Sequence, residues 1–218
     1  MDTTAIASAL GIIFAGYVLG SIPTGYWVGK AARGIDIRQV GSGSTGATNV
    51  LRAVGKKEAL LVLVVDILKG YLPVLAAFQL EQQNPAPWHF PILHLVAVIV
   101  AAATIVGHSK SMFLNFTGGK SAATGLGTLL ALDPVAALMT LATWLLVLFV
   151  SRIVSLASIV AAVACPLSML AVKASPAILA YSILAFLYVT IRHKSNIGRL
   201  LKGDEPKIGA KTKEEQAG

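Results

Sequence analysis

The stretch Ser121-Ala122-Ala123-Thr124-Gly125-Leu126-Gly127-Thr128-Leu129-Leu130-Ala131-Leu132, followed by Asp133-Pro134, is short for a membrane crossing and ends in a helix breaker. Read as a complete segment with a turn after it, it makes the chain a seven-helix membrane protein. Read as the first half of one kinked helix running to Val150, it leaves six. The other apolar runs fall at about 5–28, 59–80, 91–107, 135–150, 153–172 and 176–191, most of them near spanning length. Charge chooses between the readings. With seven crossings and the amino terminus outside, the inner segments hold six basic residues in 30–57, Lys110, Lys120, Arg152 and seven more in 192–218, leaving only Lys69 and Lys173 elsewhere. With six crossings, Arg152 and the basic tail move outside, against the positive-inside rule. The expected fold is therefore all-α and polytopic, with about seven transmembrane helices, the amino terminus outside and the carboxyl terminus cytoplasmic. Residues 1–209 are expected to form a single integral membrane domain and 210–218 a disordered tail.

Composition supports this class. The 218 residues are 56% hydrophobic and 13% charged, about half the usual charged fraction of soluble domains. The net charge of +8 flanks the apolar runs, so it indicates orientation in a bilayer and not nucleic-acid binding. A lone Cys165 excludes an intrachain disulfide and a cysteine-based metal site. Met1-Asp2-Thr3-Thr4 lacks the basic start of a secretory signal, so the first apolar run is expected to be retained. Glu81 to Trp88, with Pro85 and Pro87, is expected to form an external loop without chemistry.

The densest polar motif is Gly41-Ser42-Gly43-Ser44-Thr45-Gly46-Ala47-Thr48-Asn49-Val50-Leu51-Arg52. Gly41, Gly43 and Gly46 let backbone N–H groups turn toward an anion, Ser42, Thr48 and Asn49 add neutral donors, and Arg52 adds a fork suited to phosphate. A flexible connector would have no use for Asn49 and Arg52. The match to G-x-G-x-x-G, with Asp66 twenty residues on, does not make a dinucleotide fold: no βαβ alternation follows, and Asp66 sits in an apolar run.

Asp66 and Lys69 stand three apart on one helix face, as a structural ion pair or with Lys69 at a substrate cavity. A second glycine motif, Gly118-Gly119-Lys120-Ser121, resembles a P-loop ending but has Leu114 where that motif needs glycine. Gly118, Gly119, Lys120 and Thr124 still suggest an anion cradle at a helix start, against the plainer reading of Lys120 as an interfacial anchor. Ser151-Arg152 arrives at the same face, where Arg152 is either a site cation or a topological anchor. The run from Arg192 to Lys207 is rich in donors. As a helix from Lys194 to Lys202 it would put Ile197, Leu200 and Leu201 on a membrane stripe and leave Asn196, Arg199 and Lys202 for the site; the alternative is a basic tail attracted to anionic lipid. No His is followed five residues later by Asp, and no carboxylate cluster suits magnesium.

These motifs together resemble the bacterial acyl-phosphate:glycerol-3-phosphate acyltransferases. The likeness runs from Gly20-Ser21-Ile22-Pro23-Thr24-Gly25 through Gly34-Ile35-Asp36-Ile37-Arg38, the 41–52 motif, Asp66 and Lys69, Gly118-Gly119-Lys120 with Ala123-Thr124, Ser151-Arg152, and His193 with Asn196-Ile197 and Arg199-Leu200. Ser44 stands where the family usually has Asn, and Ser121-Ala122 where it has Gly-Val. The resemblance implies an acyl phosphate donor, glycerol 3-phosphate as acceptor, lysophosphatidic acid and phosphate as products, no cofactor or metal, and a bacterial inner membrane with the site at the cytoplasmic face. Because an acyl phosphate is already an activated mixed anhydride, the protein need only position it and stabilise charge. The expected catalytic set is Ser42, Arg52, Lys120, Ser151, Arg152, His193 and Asn196. Gly41, Gly43, Gly46, Thr48, Asn49, Lys69, Gly118, Gly119 and Thr124 are expected to bind substrate. A competing class, an organophosphate transporter, would instead place cations at midplane on broken helices, with internal repeats.

Overall fold

The computed structural model describes residues 3–83 and 94–209; most of the expected external loop and the tail from 210 lie outside them. Ten α-helices follow in order: α1 Thr3–Ser21, α2 Thr24–Arg33, α3 Ala47–Ala53, α4 Lys56–Gln83, α5 Leu95–Ser109, α6 Ala122–Leu132, α7 Pro134–Ser151, α8 Val154–Ala171, α9 Pro176–Arg192 and α10 Lys194–Leu201. Among the described residues there is no β-strand.

The decisive stretch is a break between two helices. Asp133 is extended (φ −154°, ψ 103°), its carboxylate accepts from the Ala136 N–H at 2.9 Å, and Pro134 occupies the first turn of α7. An aspartate cap with proline just inside the start is a strong helix initiation signal, and the residue before proline disfavours helix. The first apolar run is also interrupted, at Ile22-Pro23, and α2 stops at Gly34 in the left-handed conformation (φ 68°).

Among the described residues, four helical segments are long and apolar enough to cross a bilayer: Ile6–Arg33, Lys56–Gln82, Pro134–Ser151 and Val154–Ala171. A fifth is counted if α9 and α10, bent by 61° at His193, form one span. The expected fourth crossing, α6, has 11 residues, and α5 has 15; at 1.5 Å per residue they reach about 16 and 22 Å, short of the ~30 Å hydrocarbon core. Among the described residues, length and composition therefore qualify four or five spans of the expected seven.

The distribution of side chains is that of a membrane bundle. Leu10, Phe14, Leu146, Phe149 and Leu184 are exposed on the outside, while Asp66, Lys69, Thr104 and Thr128 are buried. With hydrocarbon outside, helices associate through close packing, which small residues permit. Gly20 and Gly107 make that contact between α1 and α5, where an added Cβ would lie 2.3 Å from the Thr104 and Tyr17 carbonyl oxygens respectively. Gly70 and Gly127 do the same between α4 and α6, at 2.2 and 2.0 Å from the Thr124 and Ile67 carbonyl oxygens. The ends of several helices are tied together at one end of the bundle. Ser111 donates to the Ser21 carbonyl at 2.5 Å, Lys69 to that of Ile22 at 2.8 Å, and Arg192 to that of Gly119 at 3.0 Å.

Candidate active site

At that end a cavity of about 480 Å³ runs into the bundle. Its mouth is polar, lined by Ser42, Ser44, Thr48, Arg52, Lys120, Ser155, His193, Asn196 and Glu205. Its depth is apolar, lined by side chains that include Leu126, Leu141, Trp144, Ala161 and Phe186. Of the expected catalytic set, Ser42, Arg52, Lys120, His193 and Asn196 line the cavity. Ser151 and Arg152 do not.

The 41–52 loop is built around Asn49. Its amide nitrogen donates to the carbonyls of Ile37, Val40 and Ser44 at 2.9, 3.0 and 2.9 Å, and its oxygen accepts from the Ser42 N–H at 2.9 Å. Asn49 is 1% exposed, so its amide holds the loop and is not left over as a substrate donor. Gly41 (φ 57°) leaves room for it: a Cβ there would sit 2.3 Å from the Asn49 oxygen. The glycine N–H groups are also engaged, Gly43 with the Val40 carbonyl at 3.1 Å and Gly46 with the Ser44 hydroxyl at 3.3 Å. Gly41 and Gly43 lie outside the cavity lining, whereas Gly46, Ala47 and Thr48, at the start of α3, line it and place Arg52 over the mouth. One Arg52 N–H donates to the Pro206 carbonyl at 3.2 Å.

The second glycine motif is arranged differently from the expected cradle. The Gly119 N–H donates to the His108 carbonyl at 3.1 Å, and both Gly118 and Gly119 carbonyls accept from Arg192. A Cβ on Gly118 would lie 2.3 Å from the His108 oxygen, and one on Gly119 2.1 Å from the His108 ring. These glycines are needed for the approach of His108, and they sit behind the cavity. Lys120, next in the chain, lines it and donates to the Asn196 side-chain amide oxygen at 2.5 Å. Burial, with Arg199, Arg52 and Arg192 nearby and Glu205 opposing, brings the Lys120 ammonium down to about 8. Thr124 is fully buried against Gly70 and lies outside the lining.

Lys69 pairs with Asp66 at 2.8 Å and is spent on that pair and the Ile22 carbonyl. Asp66 and His108, 3.8 Å apart, line the cavity and Lys69 does not. Ser151 donates to the Val147 carbonyl at 2.6 Å and accepts from the Ile153 N–H at 3.1 Å, closing α7. Arg152 takes the left-handed conformation (φ 59°) after it, is exposed, and its carbonyl accepts from the Ile208 N–H at 2.8 Å.

The α9–α10 corner supplies the rest. His193 Nδ1 lies 2.7 Å from the Val189 carbonyl, which can only accept, so Nδ1 carries the proton. Burial holds the ring below its usual range despite that bond, so the neutral ring keeps a lone pair on Nε2. Helix α10 matches the expected segment. Asn196 donates to Glu205 at 2.6 Å, and Ser155 and Arg199 do so at 2.7 Å each. Burial would raise the Glu205 carboxyl, but these three donors hold it below its usual range. The sequence motifs assign no role to Glu205 or Ser155; for Glu205 the available signal is an acid followed by proline in a basic tail.

A cation-rich mouth opening on an apolar pocket inside a helical membrane bundle defines an enzyme site for a phosphorylated amphiphile. The glycerol-3-phosphate acyltransferase family model matches residues 10–203. A glycerol-3-phosphate acyltransferase of Rippkaea orientalis is 51% identical over 94% of this chain and 94% of its own, and one of Synechocystis sp. is 49% identical over 96% and 95%. The crystal structure of PlsY (YgiH), an integral membrane glycerol 3-phosphate acyltransferase, in its glycerol 3-phosphate form superposes with a TM-score of 0.85 at 38% identity, covering 93% of this chain and 96% of that one. Its lysophosphatidic acid form gives 0.82 at 37%. The chain belongs to this family and is an integral membrane glycerol-3-phosphate acyltransferase, which removes the transporter reading.

Proposed function

We propose that the enzyme takes its acyl group from an acyl phosphate and delivers it to the 1-hydroxyl of glycerol 3-phosphate. The observation that carries this is the cavity itself, with two cations at a polar mouth and an apolar depth large enough for a fatty chain. Both substrates bring a phosphate to the mouth, where Arg52 and Lys120 act as charge partners and Ser42 and Thr48 as orienting donors. Exposed Arg152, whose backbone meets the Glu205 segment at Ile208, is a further charge partner. The acceptor oxygen attacks the acyl carbon, the bond from that carbon to the phosphate oxygen breaks, and phosphate leaves with the electron pair. His193 Nε2 takes the hydroxyl proton, and Asn196 holds Lys120 in place through its amide oxygen. Charge growing on the departing phosphate is met by cations already in position, so the protein contributes electrostatics and alignment.

The test is purified enzyme with glycerol 3-phosphate and either an acyl phosphate or the matching acyl coenzyme A. Lipid product from the acyl phosphate alone, unaffected by chelator, is expected. Robust, chelator-sensitive turnover of the thioester would overturn the donor assignment.

The same reading places the enzyme in a bacterial inner membrane with seven crossings, the amino terminus outside and the site cytoplasmic. It is supported by the gathering of helix ends and basic residues at one end, with short α5 and α6 completing the seven. A reporter fused after Gly218 should be cytoplasmic and one inserted at Pro134 external. Both on one side would contradict it.

A further inference from the structure

The apolar depth of the cavity ends on a closed layer contributed by four helices. Leu129 of α6, Thr140 of α7, Cys165 of α8 and Tyr181 of α9 line its inner end and are each less than 10% exposed. The hydroxyls of Tyr181 and Thr140 are both engaged. The Tyr181 phenol and the Thr128 hydroxyl share a hydrogen bond of 2.5 Å, and Thr140 donates to the Ala136 carbonyl at 2.8 Å. Beyond the layer lies packed core, with Met169 fully buried. One turn above it the wall is small on two of the four helices: Ala161 precedes Cys165 by four residues on α8 and Ala185 follows Tyr181 by four on α9, opposite the bulkier Leu126 and Trp144 of α6 and α7. Along α8 and α9 the depth thus runs past small side chains down to the layer.

We infer that this layer is an acyl-chain ruler: Tyr181, held by Thr128, and buried Cys165 set the longest fatty chain the enzyme takes fully inside. The inference rests on the acyl phosphate reading above and adds the specificity of the same site. The length follows from the helices. From His193, just past the end of α9 at the mouth, to Tyr181 is a rise of twelve residues, or about 18 Å, and from Ser155 to Cys165 is ten residues of α8, or about 15 Å. An extended chain advances about 1.2 Å per bond, as a stretched polypeptide does, so the depth holds roughly 12 to 15 bonds. Longer chains must fold back or leave carbons outside, losing burial.

The experiment measures kcat/KM for acyl phosphates of graded length, from well below to well above this limit, with wild type, Ala161→Leu and Ala185→Leu. Wild type should hold its efficiency up to a limit near the length above and fall beyond it. Each leucine raises the floor by one turn, so both variants should move that limit shorter by about four carbons. Excluding four methylenes costs up to roughly 200-fold for the longest chains, while the shortest keep near wild-type rates. The retained short-chain activity shows that the variant is folded, and two variants on separate helices guard against one failing. Tyr181→Ala should shift the limit the other way. An unchanged ratio of long- to short-chain efficiency in both leucine variants would overturn the ruler while leaving the donor assignment standing. A wild type inactive with every acyl phosphate would overturn both.

Discussion

The two glycine motifs look alike as sequence, yet they do different work. In the 41–52 loop the left-handed glycines make turns around Asn49, and the exposed edge delivers Ser42, Thr48 and Arg52 to the cavity. In the 118–121 loop the glycines are thin spacers against His108, and only Lys120 and Ser121 reach the cavity. One loop presents a surface and the other presents a single ammonium. Glycine thus marks close approach in both, and the residue that is approached, Asn49 or His108, decides what the loop can offer.

The first way to break this comparison is to remove the loop's hub. Asn49→Ala gives up four hydrogen bonds of about 1 kcal/mol each and leaves buried carbonyls unpaired, so turnover should fall roughly 100- to 1,000-fold. Asn49→Asp should be no better, because a carboxylate would face the same three carbonyls. Wild-type rates in either would show that the loop is held by other means. Arg52→Lys keeps the charge and loses the bidentate fork, at ~1.5–3 kcal/mol, so a loss of roughly 10- to 150-fold is expected. Unchanged kinetics for both substrates would reduce Arg52 to its contact with Pro206. The smallest effect concerns pH. Lys120 is cationic below its value of about 8, so kcat/KM should be level there and fall up to about tenfold per unit as pH rises through it. Lys120→Arg should move this limb beyond the measured range, and a limb that stays at the same pH belongs to another group.

Much of this molecule is legible in its sequence, because hydropathy and positive charge report directly on burial in a bilayer. Asp133-Pro134 separates two helices, and α10 begins at Lys194 and ends within a residue of the expected Lys202. The polar loops lie together for the same reason. What pattern could not supply was the direction of each donor. Asn49, Ser151 and Lys69 are the right residue types for phosphate, but they are consumed by the Ile37, Val147 and Ile22 carbonyls among others. Glu205 carries a charge opposite to that expected of a phosphate site, and its use is visible only once Asn196, Ser155 and Arg199 surround it. Lys69 and Ser155 meet partners some fifty residues away, and Ser151 meets one a single helical turn back; in both cases the residue type names a donor without naming its acceptor.

The claim that the second glycine loop serves to seat His108, and through that seat to place Lys120, is tested most directly by a double-mutant cycle. Gly119→Ala is measured in the wild type and in a His108→Ala background, by thermal midpoint and by kcat/KM for glycerol 3-phosphate. An added Cβ 2.1 Å from the His108 ring forces the loop to shift, so the glycine substitution should be severe in the wild type and much milder once the ring is gone. Equal losses in the two backgrounds would contradict the account and return Gly119 to a direct role at the phosphate.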